Sequence, residues 1–238
     1  ELRQYHFLEE TPGEKWCRDG AENLVKATLL EKLVCMCAMK FAALDAWGCG
    51  IEMEGGRPGW YDALNGLPAL FGSSVTEAME LLRHLRFLKV SLRRYGGKVS
   101  LPGPHYMLLM RLKQSVEDIP EYTGNTVLVD FWNSSKSALE HCREEVYTQG
   151  AWDYADCQAE QLAEMLDTWA NFLGQRLALC RGENGVMPTY CRYRVKMDQG
   201  TPSFEKCDMP LFLESSVRDM RLCESEQKRE KLFEAVHR

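Results

Sequence analysis

Apolar positions recur along most of this chain at three- and four-residue spacing, the period of a helix with one buried face. Over residues 21–47 the series Leu24, Ala27, Leu30, Val34, Met36, Ala38, Phe41 and Leu44 predicts one long, largely buried helix that ends at Gly48. Ser74-Val-Thr-Glu77 has the form of a capping box and opens a second helix, which runs to about Tyr95 and stops at Gly96-Gly97. After a break at Pro102 and Pro104, a shorter helix is predicted from His105 to about Val116, and another over 126–148. A fourth long amphipathic helix is predicted over 154–180, carried by Leu162, Met165, Leu166, Trp169, Phe172, Leu173 and Leu177 and stopped by Arg-Gly-Glu-Asn-Gly. Residues 188–195, PTYCRYRV, alternate instead and predict one extended arm, after which PLFLESSVRDMRL and ESEQKREKLFEAVHR return to helical spacing.

Neither a repeat of 20 to 50 residues nor a low-complexity linker divides the chain. Long helices joined by long Gly/Pro-rich loops suit an α/α toroid better than a compact four-helix bundle, whose loops are short. The expected fold is therefore all-α: residues 1–238 as part of one (α/α)6 catalytic domain built of helical hairpins, incomplete at both ends. The chain opens on ELRQYHFLEE without Met and stops within a helical pattern, which reads as an internal piece of a longer protein.

One stretch departs from the helical pattern: GGRPGWYDALNGLPALFGSS, residues 55–74. Its glycines and prolines suit a loop of fixed shape that approaches a ligand closely. Trp60 and Tyr61 are equipped to stack on a sugar ring and hydrogen-bond its edge. Asp62, beside that aromatic surface, would be partly desolvated, which raises a carboxyl's pKa and keeps the proton a general acid needs. Asn65 could hold a substrate hydroxyl or orient the acid. The same residue types also fit a capping turn, with Trp60 and Tyr61 closing over the core and Asp62 as an N-cap or Asx residue. Residue chemistry leaves both readings open.

Composition narrows the partners. A net charge of −6 and a pI near 5.5 argue against nucleic acid or an anionic membrane surface, which need basic patches. The richest apolar run, LLEKLVCMCAMKFAALDAW, is interrupted by Glu31, Lys32, Lys40 and Asp45 and is no membrane span. The ten cysteines show no CxxC pair and no Cys/His cluster at zinc spacing, so reduced, mostly buried thiols in a cytoplasmic protein, with no bound metal, are expected.

The segment GRPGWYDALNGLPALFGSSVTEAMELLRHLRFL resembles the catalytic-acid segment of glycoside hydrolase family 94-like inverting phosphorylases, the cellobiose phosphorylase and β-1,2-oligoglucan phosphorylase group. Its Gly-Trp-Tyr-Asp-Ala-Leu-Asn-Gly-Leu-Pro wording is more similar to the β-1,2-oligoglucan branch, as are GVMPTYCRYRV and MPLFLESSVRDMRL further along. The resemblance implies that Asp62 is the general acid and that Trp60 lines the sugar site, with Arg57, Tyr61 and Asn65 beside it; Tyr61 stands where the family more often has Asn. It also implies inversion at the anomeric carbon by inorganic phosphate as co-substrate, with no other cofactor, giving an α-sugar 1-phosphate from a β-linked gluco-oligosaccharide. The family's phosphate-binding His and Ser/Thr-Gly loop do not stand out in these residues, so the remainder of the chain is an expected partner and the piece is expected to be inactive alone. A homodimer is compatible with this reading. The competing readings are an inverting hydrolase on the same fold and a non-catalytic carbohydrate-binding helical domain.

Secondary candidates lie elsewhere. Tyr190, Arg192 and Tyr193 on the extended arm could bind phosphate or oligosaccharide, or form a plain β-edge with alternating charge. Glu214 could be a second carboxylate in the cleft or a first-turn helix residue favoured by the dipole. Asp130 and Trp132 read as a helix cap with core packing. The five histidines stand apart from one another, and ESEQKREK reads as a solvated helix face.

Overall fold

The computed structural model describes residues 26–52, 72–119, 127–149, 153–198, 200–207, 209 and 211–237. Seven helices and six strands form among them: α1 (Leu29–Ala42), β1 (Ile51–Glu52), β2 (Gly72–Ser74), α2 (Val75–Tyr95), β3 (Lys98–Pro102), α3 (Gly103–Glu117), α4 (Val129–Gln149), β4 (Tyr154–Gln158), α5 (Ala159–Leu179), β5 (Tyr190–Asp198), β6 (Thr201–Cys207), α6 (Leu213–Leu222) and α7 (Glu226–His237). The fold is mixed α and β, which corrects the all-α expectation. One antiparallel sheet runs in the order β1-β2-β5-β6, and β3 pairs with β4 in a second.

The physical cause of the error is strand length and context. β1 and β2 have two and three residues, too few to display an alternating period. β3 ends on the Pro102 break, and β4 runs directly into α5, so its five residues merge with the helical spacing that follows. The helix predicted over 21–47 is shorter within the described residues. It starts after Thr28, whose side chain accepts from the Glu31 amide while the Glu31 carboxylate accepts from the Thr28 amide, and it ends at Ala42.

α2 keeps both predicted ends. Ser74 Oγ accepts from the Glu77 amide at 3.2 Å, and Gly96 closes the helix in the left-handed conformation at φ 62°. The Glu77 carboxylate pairs with Lys40 on α1 at 2.7 Å. α2 packs along α5, and α3 along α4. Where α1, α4 and α5 meet, Phe41 stacks on Trp169 with ring centroids 4.5 Å apart and meets Phe131 and Phe172 edge-on, a cluster of aromatic area that fixes the three helices together.

Between α1 and β1 the chain makes a tight turn organised by one buried carboxylate. Asp45 Oδ1 accepts from the amides of Trp47 and Cys49, both at 3.0 Å, and Oδ2 accepts from Ser73 Oγ at 2.6 Å. Gly50 must be glycine here: a Cβ would sit 2.3 Å from Ser73 Oγ and 2.9 Å from Asp45 Oδ2. Gly50→Ala should therefore lower stability by about 1–3 kcal/mol, measured as a shift of the denaturant midpoint at unchanged slope.

Among the described residues no helix is long and apolar enough to cross a membrane. The expectation of uniformly reduced cysteines is corrected: Cys49 and Cys180 form a disulfide that joins the turn before β1 to the end of α5. The remaining described cysteines are free.

Candidate functional site at the base of residues 53–71

Arg57, Trp60, Tyr61, Asp62 and Asn65 lie outside the described residues. The two ends of their segment lie within them. Glu52 ends β1 and Gly72 begins β2, and these strands pair antiparallel with Glu52 opposite Ser73. The stretch that carries the candidate acid therefore leaves and returns at neighbouring strand ends.

A polar group closes around Glu52 at that point. Its Oε1 accepts from the indole Nε1 of Trp132 at 2.8 Å and from the hydroxyl of Tyr193; Oε2 pairs with Lys136 Nζ at 2.8 Å. Lys136 also donates to the backbone carbonyl of Leu44 at 2.9 Å, which ties α4 to the start of the turn. Trp47, Trp132 and Tyr193 pack around Phe204 of β6, so the carboxylate is walled by aromatic surface. Burial pushes the Lys136 ammonium below its ordinary pKa, and the adjacent Glu52 carboxylate opposes that shift. Burial and the same carboxylate push the Tyr193 phenol far above its ordinary value, so it stays a proton donor to Glu52.

Strand alternation sends the neighbouring residue to the other face. Ile51 lines a cavity of about 170 Å³ between α1, α2 and α6, together with Thr76, Glu77, Glu80, Glu214 and Arg218. Arg218 donates to Glu80 at 2.8 Å and lies 3.8 Å from Glu214, so Glu214 is at once a first-turn residue of α6 and a carboxylate in a cleft. Burial would raise the Glu80 carboxyl, but Arg218 and Arg83 outweigh it and hold the pKa below the ordinary value.

The arm residues separate by strand face. β5 is internal to the sheet, between β2 and β6, which corrects the reading of it as an edge. Tyr190 is buried opposite Ser74 and serves the core. Arg192 is exposed opposite Gly72, at the root of residues 53–71. Tyr193 is buried and reaches Glu52. Asp130 stands exposed in the first turn of α4, while Trp132 two residues on is drawn to Glu52.

Sequence reasoning noted Tyr193 and Trp132 separately and missed Glu52 and Lys136. The available signal was the carboxylate directly after the apolar Ile51, at the border of the Gly/Pro-rich stretch. A second grouping was also missed: the expectation of no metal cluster did not anticipate that Asp45, Cys49 and Cys191, all buried, bring one donor atom each to within 4.8 Å of one another. No protein-family model matches this chain, and no curated protein matches it significantly.

Proposed function

We propose that this protein is an inverting glycoside phosphorylase acting on a β-linked gluco-oligosaccharide, β-1,2-glucan in type, with Asp62 as the general acid and inorganic phosphate as the nucleophile. The likeness of residues 55–77 to the catalytic-acid segment of such enzymes supports the reading. The observation that carries it in the fold is the anchoring of that segment. β1 and β2 leave its two ends side by side over the Glu52–Lys136–Tyr193–Trp132 group, whose half-buried hydrogen bonds hold the two strand ends from which that segment departs.

In this reading Asp62 protonates the glycosidic oxygen as phosphate attacks the anomeric carbon from the opposite face. The C–O bond to the leaving sugar breaks with its electron pair going to that oxygen, and an α-sugar 1-phosphate forms. A hydrolase would need a second carboxylate to activate water, whereas phosphate is already an anionic nucleophile and needs cationic or backbone donors to hold it. Trp60 supplies the stacking face, Arg57, Tyr61 and Asn65 contact sugar hydroxyls, and the reaction belongs to the cytoplasm.

Full-length protein incubated with β-1,2-gluco-oligosaccharide and phosphate should yield α-glucose 1-phosphate in proportion to phosphate added. Free glucose formed at the same rate without phosphate would overturn phosphorolysis. Arg192, a charged side chain open to solvent beside Gly72, is the described residue best placed to meet phosphate. Arg192→Ala should raise the phosphate KM roughly tenfold or more, the worth of a charge-assisted hydrogen bond, with the melting temperature almost unmoved because the side chain is exposed. Initial rates at varied phosphate test this, and an unchanged phosphate KM would remove Arg192 from the site.

A further inference from the structure

A buried cluster next to the base of β1 has no part in phosphorolysis. Asp45 lies in the turn after α1, Cys49 four residues on, Cys180 at the end of α5, and Cys191 on β5 opposite Ser73. The carboxylate of Asp45 and the sulfurs of Cys49 and Cys191 lie within 4.8 Å of one another, and Cys180 is bonded to Cys49. All four residues are buried. The disulfide uses two of the four donors and leaves a thiol and a carboxylate facing it.

We propose that Asp45, Cys49, Cys180 and Cys191 are the four ligands of a structural zinc ion in the thiol-reduced protein. Ligands on a zinc tetrahedron with bonds of about 2.0–2.3 Å stand roughly 3.5 Å apart; the donor atoms of Asp45, Cys49 and Cys191 are already gathered within 4.8 Å, and Cys180, joined to Cys49, swings into the fourth position once their bond opens. Three thiolates select a borderline-soft metal, and the carboxylate oxygen selects zinc over monovalent copper. Asp45 is held as a metal-binding carboxylate should be: the amides of Trp47 and Cys49 and the hydroxyl of Ser73 fix its orientation and leave a lone pair on Oδ2, 4.0 Å from Cys49 Sγ.

Charge supports the same occupant. Zinc with three thiolates and one carboxylate carries a net −2. Lys206 Nζ stands 3.8 Å from Cys180 Sγ, and the buried Arg176, which donates to the Trp47 carbonyl at 2.6 Å, is within electrostatic reach of Asp45. Two cations thus face a site that would be doubly negative when filled. Four protein ligands and burial on every side leave no open position for substrate, the mark of a structural rather than a catalytic zinc.

Filling the site requires the disulfide to open. A phosphine reductant does this by taking oxygen from water as Cys49 and Cys180 each gain a hydrogen. Zinc then displaces three thiol protons, from Cys49, Cys180 and Cys191, and the Asp45 carboxylate completes the shell. Disulfide and metal exclude each other, and this inference stands independently of the phosphorylase reading.

The test uses full-length protein reduced with a phosphine, freed of metal, and titrated with Zn²⁺ or Co²⁺. Elemental analysis should find about one zinc per chain, and cobalt should give the intense thiolate-to-metal absorption of a tetrahedral sulfur-rich site. Cys191→Ser and Asp45→Asn should each weaken zinc binding by about tenfold or more, while Cys223→Ser, far from the cluster in the chain, should leave it unchanged. Reduced wild-type protein with native circular dichroism that binds neither metal, or that shows no thiolate band with cobalt, would overturn the proposal without reference to any variant. A full-strength thiolate band in folded Cys191→Ser would overturn it as well.

Discussion

Replacing Asp62 by Asn in the full-length protein should cut turnover of a β-linked gluco-oligosaccharide by about 10²–10⁴-fold, the usual worth of a positioned general acid. The amide keeps the size of the side chain and loses the proton, so binding should persist and KM should move little. The loss should shrink for substrates with an activated aryl leaving group, which departs without protonation. Steady-state rates on both substrates separate this role from a structural one. Undiminished turnover of the natural-type oligosaccharide by the variant would remove Asp62 as the acid.

Glu52→Gln should be the most destabilising single change at the base of that segment, by about 3–5 kcal/mol, because it leaves the Lys136 ammonium enclosed beside a neutral amide. The Lys136 and Glu52 side chains are only 22% and 16% exposed, so water replaces the lost partner only in part. A fall of roughly 10 °C in the melting temperature is expected for a chain of this size. Lys136→Met in the same background should recover much of it, since removing both charges abolishes the unpaired one. Thermal unfolding of the two single variants and the double variant measures the coupling. Additive losses would show that the pair does not act as a unit.

The sequence carried the helices well where a chemical signal marked their ends. Ser74 and Gly96 bound α2 because a hydroxyl at the N-cap and a residue free to adopt positive φ are local requirements that one residue can announce. Trp169 and Phe172 fell in the core because α5 is long enough for its period to be read. The extended arm that became β5 was legible by its alternation, but β1 and β2 were illegible for the opposite reason. Ile51–Glu52 and Gly72–Ser74 become strands only through their neighbours, and nothing local in so few residues declares it.

The same distinction governs the site. The Trp-Tyr-Asp step is a contiguous word and could be noticed as such. Glu52 meets Trp132 eighty residues away and Tyr193 at a separation of 141, and no spacing rule links such positions. The cysteines misled similarly: with Cys49 and Cys180 separated by 131 residues, and Cys191 on a different element, their convergence is a product of tertiary packing.

The pairing of β2 with β5 has a consequence for how the molecule is made. Ser73 lies opposite Cys191, so the sheet at the ends of residues 53–71 cannot close until β5 has been synthesised. Helices α1 to α5 all precede β5 in the chain and can dock before it is made, whereas the sheet has to wait for β5. A nascent chain stalled before β5 would therefore hold its helical core with Glu52 still lacking Tyr193. The hydrogen-bonded group around Glu52 is therefore completed as one of the last events of folding.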